Sequence, residues 1–276
     1  MSWPKGPTQW QEGETLYISV PFTWNLPAVR YQLERPLWTY TRVRVGGPAV
    51  DLLPGYFDGL PHVESGGRMD GVLQRVNPAA TRTTYGCTNQ CRFCAVPKIE
   101  GGFMELRDWP DRPVLCDNNL LAASMQHFHR VMDRLDRHKE SDANQGLDAR
   151  LLNADHAERI GRNKGFMARL ALDADSLRDQ WQAAYDLLRH HGTAKRRIRT
   201  YALIGWRDTP DEAWGRCEWI EAHKIKALPM WHHNLHQLTK NIVRPDQEAL
   251  GWNDYERRRI MQWFYRHKKA VRHACA

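Results

Sequence analysis

From about Val76 onward, short apolar runs alternate with amphipathic stretches, and this alternation restricts the fold more than any other feature of the chain. Phe166–Leu172 and Ile198–Ile204 are the length of buried strands, and Pro113–Cys116 and Lys226–Met230 read as further strands. Leu121, Met125, Phe128, Met132 and Leu135 recur at helical spacing. Leu177, Trp181, Ala184 and Leu188 do the same, and Gly192 stops that second stripe. The best-signalled helix starts at Thr209, where Thr209 can cap, Pro210 suits the first helical position and Glu212 completes a capping box. Strands alternating with such helices predict βα units around a parallel sheet, hence an α/β fold.

The flanking segments differ. Met1–Glu14, rich in Pro, Gly and Trp, reads as an irregular arm. Leu16–Val20 and Thr41–Val45 read as strands, the second broken at Gly46-Gly47-Pro48, with turn signals at Pro54-Gly55, Asp58-Gly59 and Ser65-Gly66-Gly67. After Asp254 the tail reads as a helix. Ile260, Trp263, Phe264, His267 and Val271 are expected to face inward, and Arg257, Arg258, Lys268, Lys269 and Arg272 outward. Three segments follow: a small N-terminal α/β unit over 1–75, the sheet-building segment over 76–235, and a C-terminal basic helical extension over 236–276.

The formal net charge is +8, and it is concentrated. From Arg189 onward there are 18 Lys and Arg against 9 Asp and Glu, which favours an anionic partner or a solvated basic face. No apolar run approaches a membrane span and no signal-peptide pattern opens the chain, so a cytoplasmic location is expected. In a reducing compartment the six cysteines are not expected to form a disulfide framework.

Three of those cysteines fall within Gly86-Cys87-Thr88-Asn89-Gln90-Cys91-Arg92-Phe93-Cys94, while Cys116, Cys217 and Cys275 are scattered. Thiolates suit iron–sulfur clusters, and closely spaced cysteines on a loop can wrap one cubane. Three local cysteines leave one iron without a protein ligand, open to a substrate or cofactor. Structural zinc is the other reading. It needs a fourth Cys or His, with His62 and Cys116 as candidates, and lacks the usual paired C-x-x-C layout.

The C-x3-C-x2-C spacing, with aromatic Phe93 before the last cysteine, resembles the signature of the radical S-adenosylmethionine (SAM) superfamily. The likeness extends over roughly Val76–Leu235. The phrases Thr84-Tyr85-Gly86-Cys87, Phe93-Cys94-Ala95-Val96-Pro97 and Tyr201–Trp214 are most similar to methylthiotransferase-like and cobalamin-domain members. The resemblance implies a partial (βα)6 barrel. It also implies a [4Fe-4S] cluster held by Cys87, Cys91 and Cys94, SAM on the fourth iron, and a flavodoxin- or ferredoxin-type reductant. One-electron reduction would cleave SAM to a 5′-deoxyadenosyl radical that abstracts hydrogen from a substrate.

Further SAM contacts follow from the resemblance. Asp117-Asn118-Asn119 stands where the family has a Gly-Gly-Glu-like segment meeting the SAM amino group, and its oxygens can accept from an ammonium; a helix N-cap is the rival role. Gln145 and Asp148 are expected at the end of the third strand, facing ribose or substrate. Arg169 and Asp173 flank the fourth strand, where the family binds the SAM carboxylate or ribose. Arg169 needs a carboxylate partner, either SAM or Asp148 or Asp173. Gly205 would let the backbone approach adenine, or else marks a strand-end turn. His232, His233 and His236 are expected to be substrate-facing or on the surface. No cysteine precedes Cys87 and no D-x-H-x-x-G motif occurs, so neither a second cluster nor cobalamin is expected. The leading expectation is an enzyme acting on a nucleobase, nucleotide or small anionic metabolite. The alternatives are modification of a peptide side chain, and a non-catalytic iron–sulfur or zinc protein that binds nucleic acid through its basic tail.

Overall fold

Two separate hydrophobic cores organise the chain. The computed structural model describes residues 3, 6–35, 42–67 and 69–273, with side chains up to 265. Cys275 and the facing of His267, Lys268, Lys269, Val271 and Arg272 lie outside the described residues. One unit comprises Met1–Ala80, Asn89–Gly101 and His233–Lys240; the other comprises Thr81–Thr88, Gly102–His232 and Asn241–Ala276. In this division two short segments from later in the chain join the first unit.

In the first unit, β1 (Thr8–Glu12), β2 (Thr15–Ser19), β3 (Arg42–Gly46) and β4 (Val63–Ser65) form a sheet in that order. The first pair is antiparallel and the others parallel. Leu16 and Ile18 of β2 and Val43 and Val45 of β3 alternate into the core, where α1 (Leu26–Leu33) adds Leu26, Val29 and Leu33. α2 (Pro48–Leu52) follows Gly47, whose φ of 97° and 2.8 Å from a notional Cβ to Ser19 Oγ leave room only for glycine. The opening arm is not irregular: β1 is an edge strand, with Trp10 stacked on Tyr17 at 5.2 Å. Its TQWQE sequence has no apolar alternation, because neither face enters the core. α3 (Val72–Val76) and α4 (Val96–Ile99) complete the unit, α4 packing on α2.

The second unit is α/β, as expected. β5 (Ala80–Thr81), β8 (Val114–Leu115), β9 (Ser141–Ala143), β10 (Phe166–Leu172), β11 (Ile198–Ile204) and β12 (Lys226–Trp231) are neighbours in chain order. From β8 to β12 every pair is parallel. β6 (Thr84–Tyr85) and β7 (Met104–Glu105) form a separate antiparallel pair. The helices α5 (Met125–Leu135), α6 (Ala154–Arg162), α7 (Arg178–His190) and α8 (Pro210–Ala222) each connect one parallel strand to the next. Because neighbours never depart from chain order, the sheet has no reversal point of the doubly wound kind. Phe166, Ala168, Leu170 and Leu172 of β10 are buried, and intervening residues half-buried. Ser124 caps α5, and Leu121 lies in a 3-10 turn ahead of that cap rather than in the helix. At α8 the expected capping box is complete: Glu212 N donates to Thr209 Oγ1 at 3.3 Å and Thr209 N to Glu212 Oε2 at 2.8 Å.

α9 (Pro245–Glu248) and α10 (Asp254–His273) end the chain. α10 is part of the second unit rather than an appended extension, because buried Ile260 and Phe264 join its core and the helix packs on β12 and α8. Its buried stripe is rotated from expectation. Trp263 is 50% exposed, whereas Arg257 is buried and pairs with Asp254 at 2.5 Å. Residues 257, 260 and 264 share one helical face, and Trp263 falls beside it, tilted against Trp214 at 5.6 Å.

Candidate functional site

Parallel strands that follow one another in chain order send all their carboxyl ends in one direction, and loops at such ends collect polar groups. Most of the expected site residues follow strands in this way. Asp117–Asn119 come after β8, Gln145 and Asp148 after β9, Asp173 after β10 and Gly205 after β11. The cysteine run occupies the connection between β6 and β7, starting at Gly86, which has a φ of 69°. Cys87 belongs to the second unit; Cys91 and Cys94 belong to the first, where Cys94 N donates to Cys91 O at 3.0 Å. All three cysteines and Phe93 are half-buried.

Cys87 has a defined polar neighbour. Asn119, only 1% exposed, donates its Nδ2 toward Cys87 Sγ at 3.4 Å and toward Asp148 Oδ2 at 3.4 Å. Asp148 is itself gripped by Arg150, whose Nε and Nη2 donate to the carboxylate at 2.8 and 2.9 Å. Asn119 Oδ1 is buried and accepts no hydrogen bond among the described residues. A buried acceptor left unmet costs free energy, on the order of 1–3 kcal/mol. Asp173 stands in the same electrostatic neighbourhood. Burial and the nearby Asp148 charge push its carboxyl up to about 6, against the opposing pull of Arg150 and Arg216. Gln145 is exposed and Asn118 half-buried.

Three of the expected contact residues have partners within the chain. Asp117 is fully enclosed and accepts from Thr83 N and Thr83 Oγ1, both at 2.5 Å, and from Thr84 N at 2.9 Å. Those three donors tie Asp117 to the chain entering the cysteine run. Behind it, Arg130 Nη2 lies 3.3 Å from His127 Nδ1, and His127 Nε2 lies 3.2 Å from Thr83 Oγ1. Since Arg130 can only donate, His127 carries its proton on Nε2 and passes the polarity through Thr83 to Asp117. Burial lowers the His127 pKa, against the pull of the nearby Glu105 carboxylate.

Arg169 finds its carboxylate in Asp142, which none of the expected partners anticipated. Nε donates to Oδ1 at 2.6 Å, Nη2 bonds to Oδ2, and Nη1 donates to Tyr201 Oη at 2.9 Å. The sequence signal was an Asp and an Arg on adjacent strands, with Asp142 paired opposite Met167. Gly205 marks a strand-end turn. Its N donates to Asp208 Oδ1 at 2.8 Å, its O accepts from Gln247 Nε2 at 2.7 Å, and a Cβ there would lie 2.5 Å from the Trp231 ring. The close approach that this glycine permits is that of an indole. His232 is buried against Trp206 at 4.6 Å, while His236 is exposed.

The donor set bears on which metal group the chain can hold. Burial pushes the thiols of Cys116 and Cys217 up to about 12. Cys116 Sγ is also directed at Val114 O within its own strand segment, and His62 is exposed, so neither acts as a ready fourth zinc ligand. Among the described residues no three His, Cys, Asp or Glu side chains gather around a single-ion position. By donor type the thiols of Cys87, Cys91 and Cys94 suit an iron–sulfur cluster, and Cys87 Sγ accepts an amide hydrogen bond. Also among the described residues, no helix is long and apolar enough to cross a membrane. No family model matches the chain, and no curated protein matches it.

Proposed function

We propose that this chain is a radical SAM enzyme in which Cys87, Cys91 and Cys94 ligate a [4Fe-4S] cluster, and that its parallel sheet corresponds to a partial (βα)6 barrel. The observation that carries the reading is the buried Asn119 Oδ1, which accepts no hydrogen bond among the described residues and belongs to the amide that donates to Cys87, on the first loop after β8. An acceptor held out of water next to a cysteine ligand suits the ammonium of a ligand chelating the open iron. When bound, the cluster and SAM would supply one-electron cleavage of the sulfonium and hydrogen abstraction from the substrate. The chain's own residues do the positioning. Asp117 holds Thr83 and Thr84 and thereby sets the entry to the cysteine run, while Arg150 and Asp148 orient the Asn119 amide. Asp173 offers a carboxyl that binds or releases a proton near pH 6.

The excess of basic residues after Arg189 supports an anionic substrate, of the nucleobase, nucleotide or small-metabolite class. Anaerobic reconstitution with iron and sulfide, followed by reduction with SAM, tests the proposal. The expected result is about four irons per chain and release of 5′-deoxyadenosine, both lost in Cys91→Ala and kept in Cys116→Ala. Bound zinc with no 5′-deoxyadenosine would overturn it in favour of a non-catalytic metal protein.

A further inference from the structure

We infer that Asn119 is a positioning residue that raises the reduction potential of the centre held by Cys87, acting through an amide-to-sulfur hydrogen bond. The inference rests on the proposed cluster. A primary amide has two N–H donors, and both of those on Asn119 are committed: one toward Cys87 Sγ and one toward Asp148 Oδ2, each at 3.4 Å. The first distance is ordinary for a donor to sulfur, which is larger than oxygen. The second ties the amide to a carboxylate that Arg150 holds by two guanidinium contacts, and Arg150 N adds a third bond to Asp148 Oδ1 at 3.1 Å. Asn119 therefore cannot turn its donor away from Cys87 without giving up the bond to Asp148. At 1% exposure it is also shielded from water that might replace either bond.

Hydrogen bonds to cluster sulfurs are among the main determinants of iron–sulfur potentials. Their sign follows from charge. Reduction adds an electron to the centre and makes each ligand sulfur more negative, so an N–H donor stabilises the reduced form more than the oxidised form. Low effective dielectric around a buried amide strengthens that preference. Arg150, Asp148 and Asn119 thus form an outer chain that fixes the direction of one dipole, the role outer-shell partners play around metal ligands generally.

The test compares wild type, Asn119→Leu and Asp148→Asn after anaerobic reconstitution, reading iron content and the cluster midpoint potential by spectroelectrochemical titration. Asn119→Leu keeps the side-chain size and deletes the donor. It should retain wild-type iron content and show a lower, more negative midpoint. Asp148→Asn loosens the donor but also removes a nearby negative charge, which by itself raises the midpoint, so its midpoint should lie above that of Asn119→Leu. Equal midpoints in all three iron-loaded proteins would overturn the inference while leaving the cluster assignment intact. If Asn119→Leu does not fold, Asn119→Ala deletes the same donor, and an unmoved midpoint in that variant overturns the inference. Absence of an iron–sulfur chromophore from wild type itself would overturn the cluster reading, and this inference with it.

Discussion

Asp173 should cost the folded protein stability at neutral pH, and replacing it with Asn should recover that stability. An aspartate in an unfolded chain titrates near ~3.9, whereas burial and the Asp148 charge raise Asp173 to about 6. Between those values the unfolded chain has released the proton that the folded chain still binds. Native protein then holds more protons than unfolded, so stability falls as pH rises through this window. Below pH ~4 both states are protonated and the penalty is absent; above about 6 it is fully present. A gap of ~2 units corresponds to ~3 kcal/mol at most, and partial solvent access reduces this to ~1–2 kcal/mol. Urea unfolding of wild type and Asp173→Asn from pH 4 to 7.5 is the assay. The variant should be more stable by that amount at pH 7.5, and the difference should vanish toward pH 4. A constant difference across the range, or a variant that is less stable at pH 7.5, would refute the reasoning. A carboxyl carbon titration by NMR gives an independent check, since Asp148→Asn should move the Asp173 midpoint downward.

Two further outcomes follow from the same site. Asp117→Ala orphans the buried amides of Thr83 and Thr84, each worth ~1–3 kcal/mol, so urea unfolding should show a loss of ~2–6 kcal/mol. Asp117→Asn, which keeps one accepting oxygen, should lose less. Gly205→Ala combines a left-handed backbone at φ 77° with a clash against the Trp231 ring. Strain of ~1–2 kcal/mol and overpacking of ~1–3 kcal/mol make it destabilising by ~3 kcal/mol in thermal or urea unfolding. Gly215→Ala in α8, where a Cβ meets nothing within 4 Å, should instead gain up to ~1 kcal/mol.

The long elements were legible because their periodicity and caps are local. Phe166–Leu172 and Ile198–Ile204 were read at their full extents, and the Thr209 box lies within four consecutive residues. β1 escaped because an edge strand with no core face carries no alternation. Trp263 was misplaced because the apolar stripe of α10 is broad enough to allow a rotated burial face, and only packing on β12 and α8 selects it. At the site, residue types were legible but partners were not. Arg169 visibly needed a carboxylate, yet identifying Asp142 requires the register of β9 against β10. The donor from Asn119 to Cys87 joins residues 32 apart in the chain, and nothing in either local sequence announces it.

What separates scaffold from chemistry at these strand ends is how fully each polar group is satisfied. Asp117 follows β8 and Asp173 follows β10, both aspartates next to buried strand residues, and sequence treats them alike. Yet Asp117 has three donors within 2.9 Å, whereas Asp173 makes no hydrogen bond or ion pair among the described residues. Burial pushes both carboxyls up, but on Asp117 three hydrogen bonds oppose that push and fix a loop, whereas on Asp173 only the nearby charges of Arg150 and Arg216 oppose it, at a cost in stability. Such a cost is tolerated where the group is required for something other than folding. The polar atoms of Arg169 and Gly205 are likewise met by Asp142, Tyr201, Asp208 and Gln247. Asn119 sits on the dividing line. Its donors are met within the chain and its acceptor is not, which makes it the residue through which the scaffold and an incoming ligand would meet at Cys87.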